Sequence, residues 1–98
     1  MKVVVSPKAR QKLSSQIDYL IDRNSLQAAE RLQDRVMDFL TGFLVRFPRT
    51  GRFIHKLSLW EIPVARTKLI IWYCISDEAI EIVDVWHGAQ DRFGDPDT

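Results

Sequence analysis

The chain has 98 residues, 46% of them hydrophobic and 10% aromatic, enough for one compact domain that buries roughly 60–70% of its unfolded surface and too few for a second. No run approaches the about 20 apolar residues of a membrane span, and the three valines after Lys2 are too few for a signal-peptide core, so cytoplasmic placement is expected. The net charge of +1 conceals a split: residues 1–56 carry eleven Lys or Arg against five Asp or Glu, and residues 57–98 carry three against eight. That asymmetry suits one electropositive face meeting an acidic partner or nucleic acid, rather than a general DNA coat.

In chain order, residues 2–5 form a short β-branched strand. Ser6 and Pro7 then supply a hydroxyl N-cap and a ring whose fixed φ suits the first helical position. Ala9, Leu13, Ile17, Leu20 and Ile21 recur at helical spacing, and the turn residues from Asp22 to Ser25 end that helix near Asp22. Ser25 is expected to cap a second, longer helix whose apolar stripe runs through Ala29, Leu32, Val36, Phe39 or Leu40, Phe43 and Phe47. Pro48 disfavours helical geometry at Phe47, and Arg49, Thr50 and Gly51 extend the break into a loop. The period then changes to three strands, 57–64, 68–75 and 79–87, separated by short turns. The order β-α-α-β-β-β predicts an α+β domain, a helical hairpin packed on one face of a small, mainly antiparallel sheet. No repeats, metal-ligand spacing or cofactor motif are apparent. Cys74, the only cysteine, excludes an internal disulfide and reads as a buried thiol.

Residues 69–75 are apolar on both alternating faces, the pattern of a strand buried on both sides. Two helices cover one side only. A second patch, either Ile70, Trp72 and Cys74 or Leu69, Ile71 and Tyr73, is therefore expected to await another chain, unless the sheet curls to bury it on itself. Trp60, Trp72 and Trp86 fall one per strand and each reads as core. Arg46, Arg49, Arg52, His55 and Lys56 form a basic loop suited to an acidic partner surface or to nucleic acid.

Several segments follow one another in a recognisable order. They are Ser6, Pro7, Lys8 and Ala9 at the first strand-helix junction; Phe47, Pro48, Gly51 and Arg52 after the second helix; Ile62, Pro63, Val64, Ala65 and Arg66 leading into the strand Leu69 to Tyr73; and Trp86, His87, Gly88 and Ala89 followed by Asp91. In that order and spacing the chain resembles ParE-like members of the RelE/ParE superfamily of type II toxins, small plasmid-stabilisation and chromosomal toxins. The resemblance implies neutralisation by a cognate antitoxin that wraps a C-terminal segment around the toxin. It further implies contact with DNA only indirectly through that antitoxin, and no membrane or cofactor.

The superfamily divides by target. ParE-like members resemble poisons of DNA gyrase, whereas RelE-like members cut mRNA in the ribosome. Cutting RNA requires a base, an acid and cations for the developing phosphate charge. Arg66, Lys68 and His87 are the candidates for that chemistry. Nucleases of the superfamily usually add basic residues on the middle strands and a late tyrosine or lysine. Here no tyrosine follows Tyr73, and beyond Asp77 the acidic residues outnumber the single basic one, Arg92. The preferred expectation is a ParE-like toxin that inhibits DNA gyrase by protein contact and is neutralised by its antitoxin, with Ile70, Trp72, Tyr73, Arg46, Arg49, Arg52 and Lys56 as partner-binding residues; the alternative is a RelE-like ribosome-dependent endoribonuclease.

Overall fold

A computed structural model describes residues 1–23 and 25–88. Its elements are β1 (Lys2–Val5), α1 (Pro7–Asp22), α2 (Leu26–Asp38), a π-helical turn (Phe39–Leu44), β2 (Arg52–Ile54), β3 (Leu59–Pro63), β4 (Leu69–Ile75) and β5 (Ala79–His87). The sheet runs β1-β5-β4-β3-β2. Only the β1–β5 pair is parallel, so the sheet is mixed and mainly antiparallel. Among the described residues, no helix is long and apolar enough to cross a membrane, and no group of His, Cys, Asp or Glu is placed to hold a metal.

The predicted α+β class, helical hairpin and order of elements hold, with one strand added. Arg52 to Ile54, read from sequence as loop, pair with β3 as the edge strand β2. Three residues alternating around Phe53 give too short a period to detect. β3 starts at Leu59 rather than 57, because Ser58 takes a left-handed φ of 53° that ends the turn and cannot belong to a strand. The second helix does not continue regularly, since it widens into the π turn around Gly42 before closing at Arg46. Ser25 makes no side-chain cap; its carbonyl accepts the Ala29 N–H at 2.9 Å instead.

Ser6 does more than the sequence announces. Its Oγ accepts the Ala9 N–H at 3.1 Å and donates to the Val83 carbonyl at 2.9 Å. Val83 is the extra residue of a β-bulge, for Trp72 pairs with Asp84 while Tyr73 pairs with Ile82. The bulge resets the side-chain alternation of β5. Ile80 and Ile82 face the helices before it, Val85 faces them after it, and Asp84 and Trp86 turn to the opposite side. The core between helices and sheet is thus closed by Leu44, Val64, Ile71, Tyr73, Ile80 and Ile82.

The two-sided strand β4 is now resolved into faces. Leu69, Ile71 and Tyr73 lie under the helices, and Ile70, Trp72 and Cys74 lie on the open face. That face is not left bare as expected. Trp72, only 8% exposed, packs against Trp86 with ring centroids 5.3 Å apart, and donates its Nε1–H to Glu61 at 2.7 Å. Arg52 holds the other Glu61 oxygen at 3.0 Å. Ile70 and Cys74 stay half-buried. The sheet covers much of its second face with its own tryptophans, which is why the patch is smaller than the apolar run suggests.

Candidate functional site: a basic groove at the sheet end

The β3–β4 turn is built by Thr67, whose N–H and Oγ1 both donate to the Val64 carbonyl, at 3.2 and 2.9 Å, and whose Oγ1 accepts the Leu69 N–H at 3.0 Å. With the turn so tied, Arg66 adopts a left-handed φ of 65°, a conformation uncommon for a residue with a Cβ. Its carbonyl accepts Nη1 of Arg35 from α2 at 3.0 Å. The end of β5 is fastened to the same turn: Gly88 N–H donates to the Lys68 carbonyl at 2.6 Å, and a Cβ on Gly88 would stand 3.2 Å from that oxygen.

These contacts leave a groove of about 310 Å³ between the hairpin and the sheet end. Tyr19 and Leu20 of α1, Ala28 and Leu32 of α2 and Leu69 of β4 give it an apolar lining; Arg31, Arg35, Arg66, Lys68 and His87 supply its charge. The three residues singled out for phosphate chemistry, Arg66, Lys68 and His87, therefore meet in one place. Arg31 and Arg35, which sequence reasoning passed over, join them. Their signal was a spacing of four on a helix that presents Leu32 inward.

A second depression, lined by Lys8, Gln11, Lys12, Ser15 and Trp86, adjoins the first through Gln16, Leu69 and His87. Two of its lining residues, Lys8 and Lys12, belong to an ionic anchor. Asp84, 2% exposed, is held by Lys8 Nζ at 3.1 Å and Lys12 Nζ at 2.9 Å. Burial alone would raise the Asp84 carboxyl, but the hydrogen bonds from Lys12, Lys8 and the Val85 N–H outweigh it and hold it below the ordinary carboxylate value. Lys12 Nζ also lies 3.5 Å from the ring centroid of Trp86, a cation–π contact. Asp84 therefore consumes the charge of two lysines, while the groove beyond His87 has no carboxylate among its described lining residues.

A sequence profile of the "ParE toxin of type II toxin-antitoxin system, parDE" matches residues 3–92. The chain belongs to the ParE toxin family. Comparison with curated protein sequences gives no match. Among solved structures, the chain is similar to one titled as the chromosomal ParDE toxin–antitoxin system from P. aeruginosa, with 17% identity, a TM-score of 0.72 and coverage of 89% of this chain and 95% of that one. It is also similar to the RelBE2 toxin–antitoxin complex from Mycobacterium tuberculosis, with 24% identity, a TM-score of 0.63 and coverage of 88% and 95%. At these identities the structural likenesses speak for the fold.

Within this ParE-family toxin, the other predicted contact residues divide into three groups. Tyr73 is fully buried and belongs to the core; its phenol, pushed up by burial, donates to the Pro48 carbonyl at 2.7 Å. Ile70 and Trp72 lie on the open sheet face, Trp72 mostly covered as described. Arg46, Arg49, Arg52 and Lys56 are exposed at the far end of α2 and in the β2–β3 hairpin, away from the groove. Ala89, Asp91 and the acidic terminal stretch lie outside the described residues.

Proposed function

We propose that this ParE-family chain poisons DNA gyrase by protein–protein contact, performs no chemistry of its own, and is silenced by a cognate antitoxin that lays an acidic segment in the basic groove and over Ile70 on the open sheet face. The observation that carries the reading is the match to the ParE family over residues 3–92. The groove supports the antitoxin part. An apolar floor ringed by Arg31, Arg35, Arg66, Lys68 and His87 suits a peptide segment with aliphatic side chains on one side and carboxylates on the other. One arginine already spends a guanidinium nitrogen on the Arg66 carbonyl, which fixes the rim in place before a partner arrives.

The convergence of Arg66, Lys68 and His87 favours a second reading, a RelE-like ribosome-dependent endoribonuclease in which the cations neutralise the phosphate and His87 exchanges the proton. It ranks below the first because the family model matched over residues 3–92 is that of the ParE toxins, although His87, Lys68 and Tyr19 in the groove lining are of residue types that acid–base catalysis uses. Purified toxin assayed in parallel for inhibition of gyrase supercoiling and for mRNA cleavage on ribosomes separates the two. Inhibition of supercoiling, reversed by antitoxin and without cleavage, is expected; cleavage with supercoiling untouched would remove the gyrase reading.

A further inference from the structure

The basic loop of the sequence turns out to frame something the sequence did not show. Along and just past the π turn that follows α2, Phe39, Phe43 and Phe47 form a row, Phe39 stacked on Phe43 and Phe47 tilted against it, with centroids 5.2 and 5.4 Å apart. A second row crosses the sheet, Phe53 to Trp60 at 5.3 Å and Trp60 to Tyr73 at 6.3 Å. The rows meet where the Tyr73 hydroxyl bonds the Pro48 carbonyl, one residue after Phe47. Phe39 and Tyr73 are buried, but Phe43, Phe47, Phe53 and Leu57 are 37–51% exposed. Single exposed apolar residues need no explanation, whereas four large ones on one end of a small domain do. Residues 39–60 contain no Asp or Glu and four Lys or Arg. Arg52 reaches back to Glu61, which leaves Arg46, Arg49 and Lys56 exposed around the aromatic rows.

We infer that this aromatic end, with Phe43, Phe47, Phe53 and Leu57 as anchors and Arg46, Arg49 and Lys56 as rim, is a second docking surface, distinct from the groove, that takes an acidic surface of the folded protein target. This rests on the reading of the chain as a toxin that acts by protein contact. Buried aromatic anchors within a charged rim are how protein interfaces concentrate their binding energy. Arg31 of the groove and Arg46, next to Phe47, stand fifteen positions apart on one helical run, on the order of 20 Å at 1.5 Å per residue. The two surfaces can be occupied separately. A groove encloses a segment; rows of half-exposed rings on a helix end and a hairpin meet a surface. A second copy of this chain is disfavoured, because a two-fold contact would set these cations against one another. A nucleic acid strand would need free ring faces for its bases, and here the rings already contact one another, Phe43 stacked on Phe39 and tilted against Phe47, and Phe53 in edge contact with His55 and Trp60.

The test uses two variants of the full chain, Phe43→Ser/Phe47→Ser and the exposed charge reversal Arg49→Glu/Lys56→Glu, each purified through its complex with antitoxin. Three quantities are read: growth inhibition on induction, the concentration that half-inhibits gyrase supercoiling, and the Kd for antitoxin. Both variants are expected to lose growth inhibition and to weaken gyrase inhibition at least about tenfold, while antitoxin Kd stays within about twofold because it uses the groove. Growth inhibition kept by both variants overturns the proposal, as does antitoxin affinity that falls in step with toxicity. So does a single-stranded oligonucleotide, or a wild-type dimer in sedimentation, whose binding both variants abolish. If the wild-type chain stops growth without touching gyrase, the gyrase reading fails and the growth arm still decides the surface.

Discussion

Asp84 and Glu61 are the two buried carboxylates among the described residues, and their partners make them behave differently on substitution. The lowered Asp84 carboxyl contributes stability that is fully present above the unfolded carboxylate value of about 3.9 and is lost as pH falls through the lower folded value. Thermal melts from pH 6 to pH 2 should therefore show a loss of Tm below about pH 4 that Asp84→Asn flattens, from a lower starting Tm at neutral pH because Lys8 and Lys12 lose their counterion. A variant with the wild-type acid slope would place the linkage elsewhere. Glu61→Ala leaves the Trp72 indole without its 2.7 Å acceptor in a buried site, a cost of about 1–3 kcal/mol by denaturant unfolding. Arg52→Ala should cost under about 1 kcal/mol, because its side chain is 66% exposed. Equal losses for the two would mean the ion pair, not the indole bond, holds Glu61.

At the scale of elements, the bulge in β5 decides which side chains form the core, and Ser6 is what fastens it. Ser6→Ala removes both the α1 cap and the bond to the bulged Val83 carbonyl, and is expected to lower stability by about 1–2 kcal/mol, more than an ordinary cap on an exposed helix. Gly51→Ala is expected to cost about 1–3 kcal/mol, since the new Cβ would lie 2.7 Å from both the Glu61 carbonyl and the Tyr73 hydroxyl; an unchanged denaturation midpoint would show that the loop yields freely. These features mark where sequence reading stopped. Helix starts and the last strand were legible because Ser6, Pro7 and the run 79–87 follow local rules. β2 was not, because three residues show no period. The bulge was not, because nothing local to Val83 distinguishes it from its neighbours. The faces of β4 were narrowed to two sets and not chosen between, since either alternation is equally apolar. At the site, Arg66, Lys68 and His87 were visible as residue types, but Arg31 and Arg35 reach them only through the packing of α2 against the β3–β4 turn.

For the whole molecule, the charge split of the sequence resolves into geography. Acidic side chains of the second half are partly absorbed inside, Asp84 by α1 lysines and Glu61 by Arg52 and Trp72, while the groove has no carboxylate among its described lining residues and the basic aromatic end, residues 39–60, contains none. On the proposed function, this ParE-family toxin meets its partners through these positive, partly apolar surfaces, and its association should slow as salt rises. Rates of antitoxin capture measured by stopped flow between 50 and 300 mM salt check this, with several-fold slowing expected and a flat response arguing for apolar contact alone. On the proposed function, the residues gathered in the groove bind rather than cut. The triple variant Arg66→Ala/Lys68→Ala/His87→Ala tests it most directly in the gyrase supercoiling assay, with antitoxin affinity read alongside. Binding through the groove predicts that the variant still inhibits gyrase and is released by antitoxin far less well; loss of toxicity on the order of 100-fold or more, the scale of removing acid–base catalysis, together with loss of mRNA cleavage shown by the wild-type chain, would contradict it.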